Sequence, residues 1–259
     1  MSFSIRGASV VGASHVKNNT PCQDALAYKI IAPFFAVIAV SDGLGTVEKS
    51  DLGSHAAVQA VVRFAEDYLA AHPPDQIDLP TVAKQTMLAA RTALVETALA
   101  LQCDLKDLGC TLISIVMMRD SMAVAHIGDG AVIARNDTAL FIASAPGESE
   151  YTNEVDPITA NNWQAFLRIS PVINEVRDAM AFTDGCQRAA LRKTKDGCEP
   201  FEPFCRPVLD YFRASDNDGN AIAQLENFLS SKKLRENSDD DKTLVVITRE
   251  DYSDGQEIF

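Results

Sequence analysis

The sequence predicts an α+β protein of one domain, in which paired helices cover antiparallel sheets. Three observations carry this expectation. Apolar runs of strand length, bounded by turn residues, recur through the first forty residues and again from Gly109 onward. Two long stretches between them repeat apolar residues at helical spacing. No internal repeat and no low-complexity linker divides residues 1–250, so the elements must bury their apolar faces against one another. Residues 251–259 form an acidic tail outside that domain.

The elements follow in order. Residues 1–40 alternate apolar and polar positions and are rich in β-branched residues, which predicts two or three strands. Ser50 suits a helix N-cap, and after it Ala57, Val61, Phe64, Ala65, Tyr68 and Leu69 recur at helical spacing until His72-Pro73-Pro74 stops the pattern. A second helix is expected over 80–101, with Pro80 in its first turn. Residues 109–143 read as an antiparallel meander, with strands at 111–118, 122–127, 131–135 and 140–143. The polar stretch 146–159 reads as a loop, 163–169 and 179–183 as strands, 221–229 as a helix and 244–248 as the last strand. Residues 188–215 mix basic residues, prolines and cysteines without a clear period, and Asp216-Asn217-Asp218-Gly219 reads as a solvated turn.

Composition narrows the function. In 259 residues the formal net charge is −13, which argues against nucleic acid and against an anionic membrane surface as partners. No stretch approaches the roughly 18 uninterrupted apolar residues of a membrane span. The N-terminus lacks the basic start and apolar core of an export signal, so the expected location is the cytoplasm and the expected state of the six cysteines is reduced. No Cys-x-x-Cys pair and no His-Glu-x-x-His spacing is present, which leaves no zinc pattern. His126 lies in an apolar run and reads as a packed core residue.

The chemistry is concentrated in aspartates at the ends of apolar runs. Phe34–Val40 leads into Ser41-Asp42-Gly43, Val124–Ile127 into Gly128-Asp129-Gly130, and Ala179–Phe182 into Thr183-Asp184-Gly185; Ser238-Asp239-Asp240-Asp241 precedes Thr243–Ile247. Carboxylates leaving strands at one end of a sheet can converge on a hard divalent cation, which prefers oxygen ligands. Glycine after aspartate allows a sharp turn that brings a main-chain carbonyl to the same point.

These motifs, in this order, resemble those of the metal-dependent protein phosphatases, the type 2C serine/threonine phosphatases. Asn18-Asn19-Thr20-Pro21-Cys22-Gln23-Asp24-Ala25 is similar to that family's first acidic motif, and Gly109-Cys110-Thr111 to its Gly-Ser/Thr-Thr strand start. Gly128-Asp129-Gly130-Ala131 is similar to its Gly-Asp-Ser-Arg motif, and Asp240-Asp241-Lys242-Thr243 to its Asp-Asn-x-Thr motif. The resemblance runs from about Gly7 to Thr248. It implies a four-layer αββα sandwich, two antiparallel sheets flanked by helix pairs, with the metal site at one end.

It also implies roles. Asp42 would bridge two Mn²⁺ or Mg²⁺ ions, the Gly43 carbonyl would contact one of them, and Asp184 and Asp240 would complete the first ion's shell. Asp24 would act through metal-bound waters, and Asp129 with Asp184 would hold a third, weaker ion. The implied reaction is hydrolysis of phosphoserine and phosphothreonine in proteins by a metal-activated water, countering a serine/threonine kinase, in a monomer. No covalent nucleophile is needed, in keeping with the lack of a Ser/His/Asp or reactive-cysteine pattern.

The sequence departs from the family at three places. Gln23 stands where Glu is common, Gly130-Ala131 replaces Ser-Arg after Asp129, and the family's usual phosphate-binding arginine before the first motif is absent, which leaves His15 and Lys17 as the nearest candidates to hold the phosphate. Gln23 and the missing arginine favour a second reading, a catalytically weak relative that binds a phosphoprotein or partner. The intact Asp42, Asp129, Asp184 and Asp240 favour the enzyme.

Overall fold

The described residues contain twelve strands, most of them from the apolar runs: β1 (Ser2–Val10), β2 (Ala25–Ala32), β3 (Phe35–Ser41), β4 (Leu112–Met118), β5 (Ser121–Ile127), β6 (Ala131–Arg135), β7 (Leu140–Ser144), β8 (Arg168–Ile169), β9 (Asp178–Phe182), β10 (Leu191–Thr194), β11 (Gly197–Pro200) and β12 (Lys242–Glu250). The helices are α1 (Ala13–Asn18), α2 (Ser50–Ala71), α3 (Leu79–Leu101), α4 (Gln187–Ala190), α5 (Glu202–Ala214), α6 (Asn220–Leu229) and α7 (Lys232–Arg235). These come from a computed structural model, which describes residues 2–147, 156–195, 197–215 and 220–250. Part of the expected 146–159 loop, the 216–219 turn and the acidic tail lie outside the described residues.

Two antiparallel sheets form the centre, in the orders β1-β12-β9-β6-β7 and β2-β3-β4-β5-β8. Ile5, Ile38, Ile113, Met122 and Val245 meet between them in one core. A second core joins α2 and α3 to the second sheet through Val58, Val61, Leu94 and Phe35. The third joins α5 and α6 to the first sheet through Leu209, Phe212, Leu225 and Phe182. The result is the expected αββα layering. Strands covered on both faces need apolar residues at every position rather than at alternate ones, and β3 is buried throughout.

That double burial is why the expected meander is not one. Residues 112–127 pair as β4 and β5 in the second sheet, but β6 and β7 belong to the first. Gly128-Asp129-Gly130 carries the chain across between sheets. An all-apolar run does not record which sheet it joins. The expected strand at 163–169 is mostly a 3₁₀ turn at Trp163–Ala165, where Trp163 plugs the helix-covered core; only Arg168 and Ile169 pair, with β5. Ser50 is the first residue of α2 rather than its cap, and its hydroxyl donates to the Val47 carbonyl at 3.1 Å. Asp78 caps α3 by accepting from the Thr81 N–H at 3.1 Å, with Pro80 in the first turn as expected. In the unassigned 188–215 region, α5 buries Cys205, Val208, Leu209 and Phe212 at helical spacing, a pattern interrupted in the sequence by Pro203 and Pro207.

The pairings fix polarity. The end of β1 lies beside the start of β12, which lies beside the end of β9, itself opposite the start of β6. In the second sheet the start of β2, the end of β3, the start of β4 and the end of β5 share one edge. At the opposite end, the buried Asp178 accepts from Arg135 Nε at 2.6 Å and from Arg213 of α5, tying that helix to β9 and β6. Asp178→Ala removes the buried carboxylate that Arg135 and Arg213 share, leaving Arg135 only the exposed Asp210, and is expected to cost about 3 kcal/mol in urea unfolding. A loss below about 1 kcal/mol would show that the pair does not fasten the helix layer.

Candidate metal centre

Strand polarity brings Asp24, Asp42, Asp129, Asp184 and Asp240 to the same end of the sandwich. Asp24 immediately precedes β2, Asp42 follows β3, Asp129 lies between β5 and β6, Asp184 follows β9, and Asp240 lies two residues before β12. Their charges act on one another. Burial, followed by repulsion from Asp24, Asp184, Asp129 and Asp240, holds the Asp42 carboxyl well above the usual carboxylate range. Burial and the neighbouring Asp129 and Asp240 raise Asp184 to about 6. Burial and, beyond it, Asp240 also raise Asp129. Burial is the main cause for Asp24, pushed up to about 7, with Asp241 adding repulsion. Asp239 is exposed, and its carbonyl accepts from the Ser14 N–H and hydroxyl at 3.0 Å.

The backbone around each carboxylate is fixed. Asp42 is clamped by Thr111, whose Oγ1 accepts the Asp42 N–H at 2.9 Å and whose N–H donates to the Asp42 carbonyl at 2.8 Å. The Gly43 N–H donates to the Gln23 carbonyl at 3.1 Å, which also accepts from the Ser54 hydroxyl at 2.6 Å. Gly128 has φ +113°, and a Cβ there would lie 2.5 Å from Thr111 Cβ, so glycine is required where the chain crosses between sheets. At Gly185 a Cβ would meet the Asp241 carbonyl at 1.9 Å, so the Asp184 turn can approach the Asp240 loop only through glycine.

Asp24 and Asp129 show what such a site wants. Asp24 is 3% exposed; its Oδ2 accepts from the Thr183 and Thr243 hydroxyls at 2.8 and 2.7 Å, while its Oδ1 is buried without a partner. Asp129 Oδ1 is likewise buried and unpartnered. Clustered, raised carboxylates with two orphaned oxygens fit hard divalent cations, which supply the missing positive charge and take oxygen ligands.

His15 and Lys17 both lie on α1, beside this end. His15 Nδ1 is 2.9 Å from Asp241 Oδ2, and Lys17 is exposed. Ligand atoms of His15, Asp240 and Asp241 come within 4.8 Å of one another. The Asp241 oxygens are already occupied: Oδ1 by the Gly12 N–H at 2.6 Å, Oδ2 by the Gln23 N–H at 2.6 Å and by His15. This triplet is therefore a hydrogen-bonded knot that ties the first acidic motif and α1 to the loop bearing Asp240. Its role was not legible in the sequence, where Asp241 is one of three consecutive aspartates. Two cations were also missed. Arg168 Nη2 donates to the Gly128 carbonyl and His126 Nδ1, each at 3.0 Å, and its charge reaches Asp129; buried Lys242 donates to the Asp240 carbonyl at 2.7 Å. Both are distant in sequence from the carboxylates they brace or adjacent only to the main chain, so no spacing marks them. His126 is buried as expected, with Nδ1 2.8 Å from the Ser144 hydroxyl. Buried Cys186 has its thiol pushed up by burial and by Asp24, which keeps it protonated and unsuited to attack.

Two outcomes follow for the protein without metal. Between the unfolded value near 4 and the folded values near 6 and 7, Asp184 and Asp24 hold protons that the unfolded chain has released. Stability therefore falls as pH rises through that window, the reverse of a salt-bridged carboxylate. Metal-free protein is expected to melt at a lower temperature at pH 8 than at pH 5.5, with Mn²⁺ restoring the loss at pH 8; a higher melting temperature at pH 8 would contradict this. Asp241→Asn puts an amide NH₂ among three donors. It is expected to cost about 1–3 kcal/mol and to weaken Mn²⁺ binding, since buried donors lose their acceptor; an unchanged melting temperature and Mn²⁺ midpoint would remove Asp241 from this role.

Comparison with known proteins agrees with this geometry. A family model described as Protein phosphatase 2C matches residues 11–230. Serine/threonine-protein phosphatase 3 of Escherichia coli (strain K12) is 29% identical over 253 residues, covering 95% of this chain and 98% of that protein. The catalytic domain of the serine/threonine protein phosphatase PstP, solved in complex with two manganese ions, superposes with a TM-score of 0.63 at 15% identity, over 95% of this chain and 97% of that one. PppA, described as a key regulatory component of T6SS in Pseudomonas aeruginosa, superposes with a TM-score of 0.60 at 18% identity, over 96% and 98%. At those identities the two structures speak for the fold. With the family model spanning most of the sequence and every aspartate motif inside or just beyond it, the chain belongs to the protein phosphatase 2C family.

Proposed function

We propose that this protein serine/threonine phosphatase hydrolyses phosphoserine and phosphothreonine in proteins at the Asp24–Asp42–Asp129–Asp184–Asp240 cluster, with bound Mn²⁺ or Mg²⁺. The observation that carries the reading is the cluster itself: five carboxylates on one end, mutually repelling, two with orphaned buried oxygens. Asp42, the Gly43 carbonyl, Asp184 and Asp240 would hold the principal ions, and Asp129 with Asp184 a weaker one. Bound there, such ions lower the pKa of water and neutralise charge developing on the phosphoryl group. The chain's own part is positioning. Thr111 fixes Asp42, Thr183 and Thr243 aim Asp24 Oδ1, and the Asp241 knot holds α1, with His15 and Lys17, beside the cluster. His15 and Lys17 are the proposed cationic partners of the phosphate; Lys17 is the freer of the two because His15 is bonded to Asp241. Among the described residues no helix is long and apolar enough to cross a membrane.

Gln23 decides how strongly the site holds its ions. It is buried, its main chain bonded to Asp241, Gly43 and Ser54, and its Oε1 is without a partner. A carboxylate there adds charge to a site whose strength depends on ligand charge.

Hydrolysis of a generic phosphate ester is expected to require Mn²⁺ or Mg²⁺ and to vanish with a chelator. Asp42→Ala is expected to reduce kcat by about 100-fold or more while the protein still folds, as a loss of several kcal/mol of charge stabilisation requires. Metal-dependent melting without turnover in the unaltered protein would instead favour the binding-module reading. Gln23→Glu is expected to lower the Mn²⁺ concentration for half-maximal activity; an unchanged metal requirement would place Gln23 outside the coordination shell.

A further inference from the structure

The helix layer over the first sheet does not close completely. Helices α5, α6 and α7 leave a groove of about 570 Å³ whose walls include Phe204, Tyr211 and Phe228. The Phe204 and Phe228 rings lie 5.7 Å apart and tilted, and Tyr211 is 42% exposed. This volume and lining suit a bound side chain or short peptide rather than a structural gap. The charged residues lining it are Arg188 and Lys233, both exposed, with no acidic residue among the described lining. On a chain of net charge −13 that is a local reversal of sign, which favours an anionic partner with an apolar body.

Two residues that line the groove stand close in sequence to members of the carboxylate cluster. Arg188, on α4, stands four residues after Asp184, and Asn237 three before Asp240; both line the groove, and Arg188 Nη1 donates to the Asn237 carbonyl at 3.3 Å. At no more than about 3.6 Å per residue, Asn237 lies within about 11 Å of Asp240. An extended peptide covers that distance in three or four residues.

Resting on the phosphatase reading above, we propose that this groove is the substrate-docking site. It receives an apolar or aromatic side chain three to four residues from the phosphorylated residue, and Arg188 and Lys233 select acidic residues beside it. The preferred substrate is thus an acidic phosphoprotein segment with one apolar anchor.

The test is fluorescence anisotropy with labelled peptides bearing a phosphonate analogue of phosphoserine, which binds without turnover. One set carries Phe three residues away, followed by two Glu, on either side of the analogue; controls replace these by Gly and Ser, or by Lys. The Mn²⁺-loaded protein is compared with Tyr211→Ser/Lys233→Glu, two exposed positions outside the carboxylate cluster. At least one Phe-Glu peptide should bind about 10-fold more tightly than its Gly-Ser control. The double variant should lose that preference while hydrolysing p-nitrophenyl phosphate as before. Equal affinity for all peptides, equal affinity of both proteins, or preference for the Lys peptide would overturn the proposal, as would an association between copies of the chain that the double variant abolishes. A wild-type protein that does not hydrolyse p-nitrophenyl phosphate would overturn the phosphatase reading, and the anisotropy would still decide the groove.

Discussion

Everything at the functional end of this protein is shaped by one constraint: carboxylates that repel one another are held together, partly buried, by a frame that does not relax. Left to itself, such a cluster would spread into water or protonate. Here the first alternative is blocked because each aspartate stands at a strand end, and the strands are paired across two sheets with apolar residues on both faces. The second is what the raised Asp24, Asp42, Asp129 and Asp184 show. A cation resolves the conflict, so the rigidity of the sandwich is stored in the site as a demand for positive charge.

The supporting contacts divide by function. Thr111, Thr183 and Thr243 hold Asp42 and Asp24 through hydroxyls, which fix direction without neutralising charge. Asp241 does the opposite of its neighbour Asp240. Its oxygens are filled by Gly12, Gln23 and His15, so it organises the protein around the site rather than facing a ligand. The two carboxylates lie close together, and what separates them is that the Asp241 oxygens are both taken by main-chain and imidazole partners. The proposed docking groove on the neighbouring helix layer would extend the same logic outward: Arg188 and Lys233 are the charged residues of its lining, on the flank of an acidic centre.

The carboxylate cluster was legible in the sequence because strand–Asp–Gly units record both the end of a strand and the turn that follows. Asp42, Asp129 and Asp184 could be placed from these units alone, and Asp240 from its register before Thr243. The two long helices were legible for the same reason, through an uninterrupted period. What failed was information that no local pattern holds. Strands β5 and β6 look alike in sequence yet enter different sheets. Helix α5 hides behind Pro203 and Pro207, and Trp163 behaves as a core plug where its neighbours suggested a strand. Asp241 and Arg168 act on residues more than 200 and about 40 positions away, respectively, and only the folded pairing brings those partners into reach.

The central claim is that the repelling aspartates, and not the neighbouring His15–Asp241 knot, hold the metal. Anomalous diffraction at the manganese edge from crystals grown with Mn²⁺ tests it directly. The expected result is manganese peaks within bonding distance of the Asp42, Asp184 and Asp240 carboxylates, with His15 still hydrogen-bonded to Asp241. A single peak bound by His15 and Asp241, with Asp42 and Asp184 carrying no metal, would contradict the account.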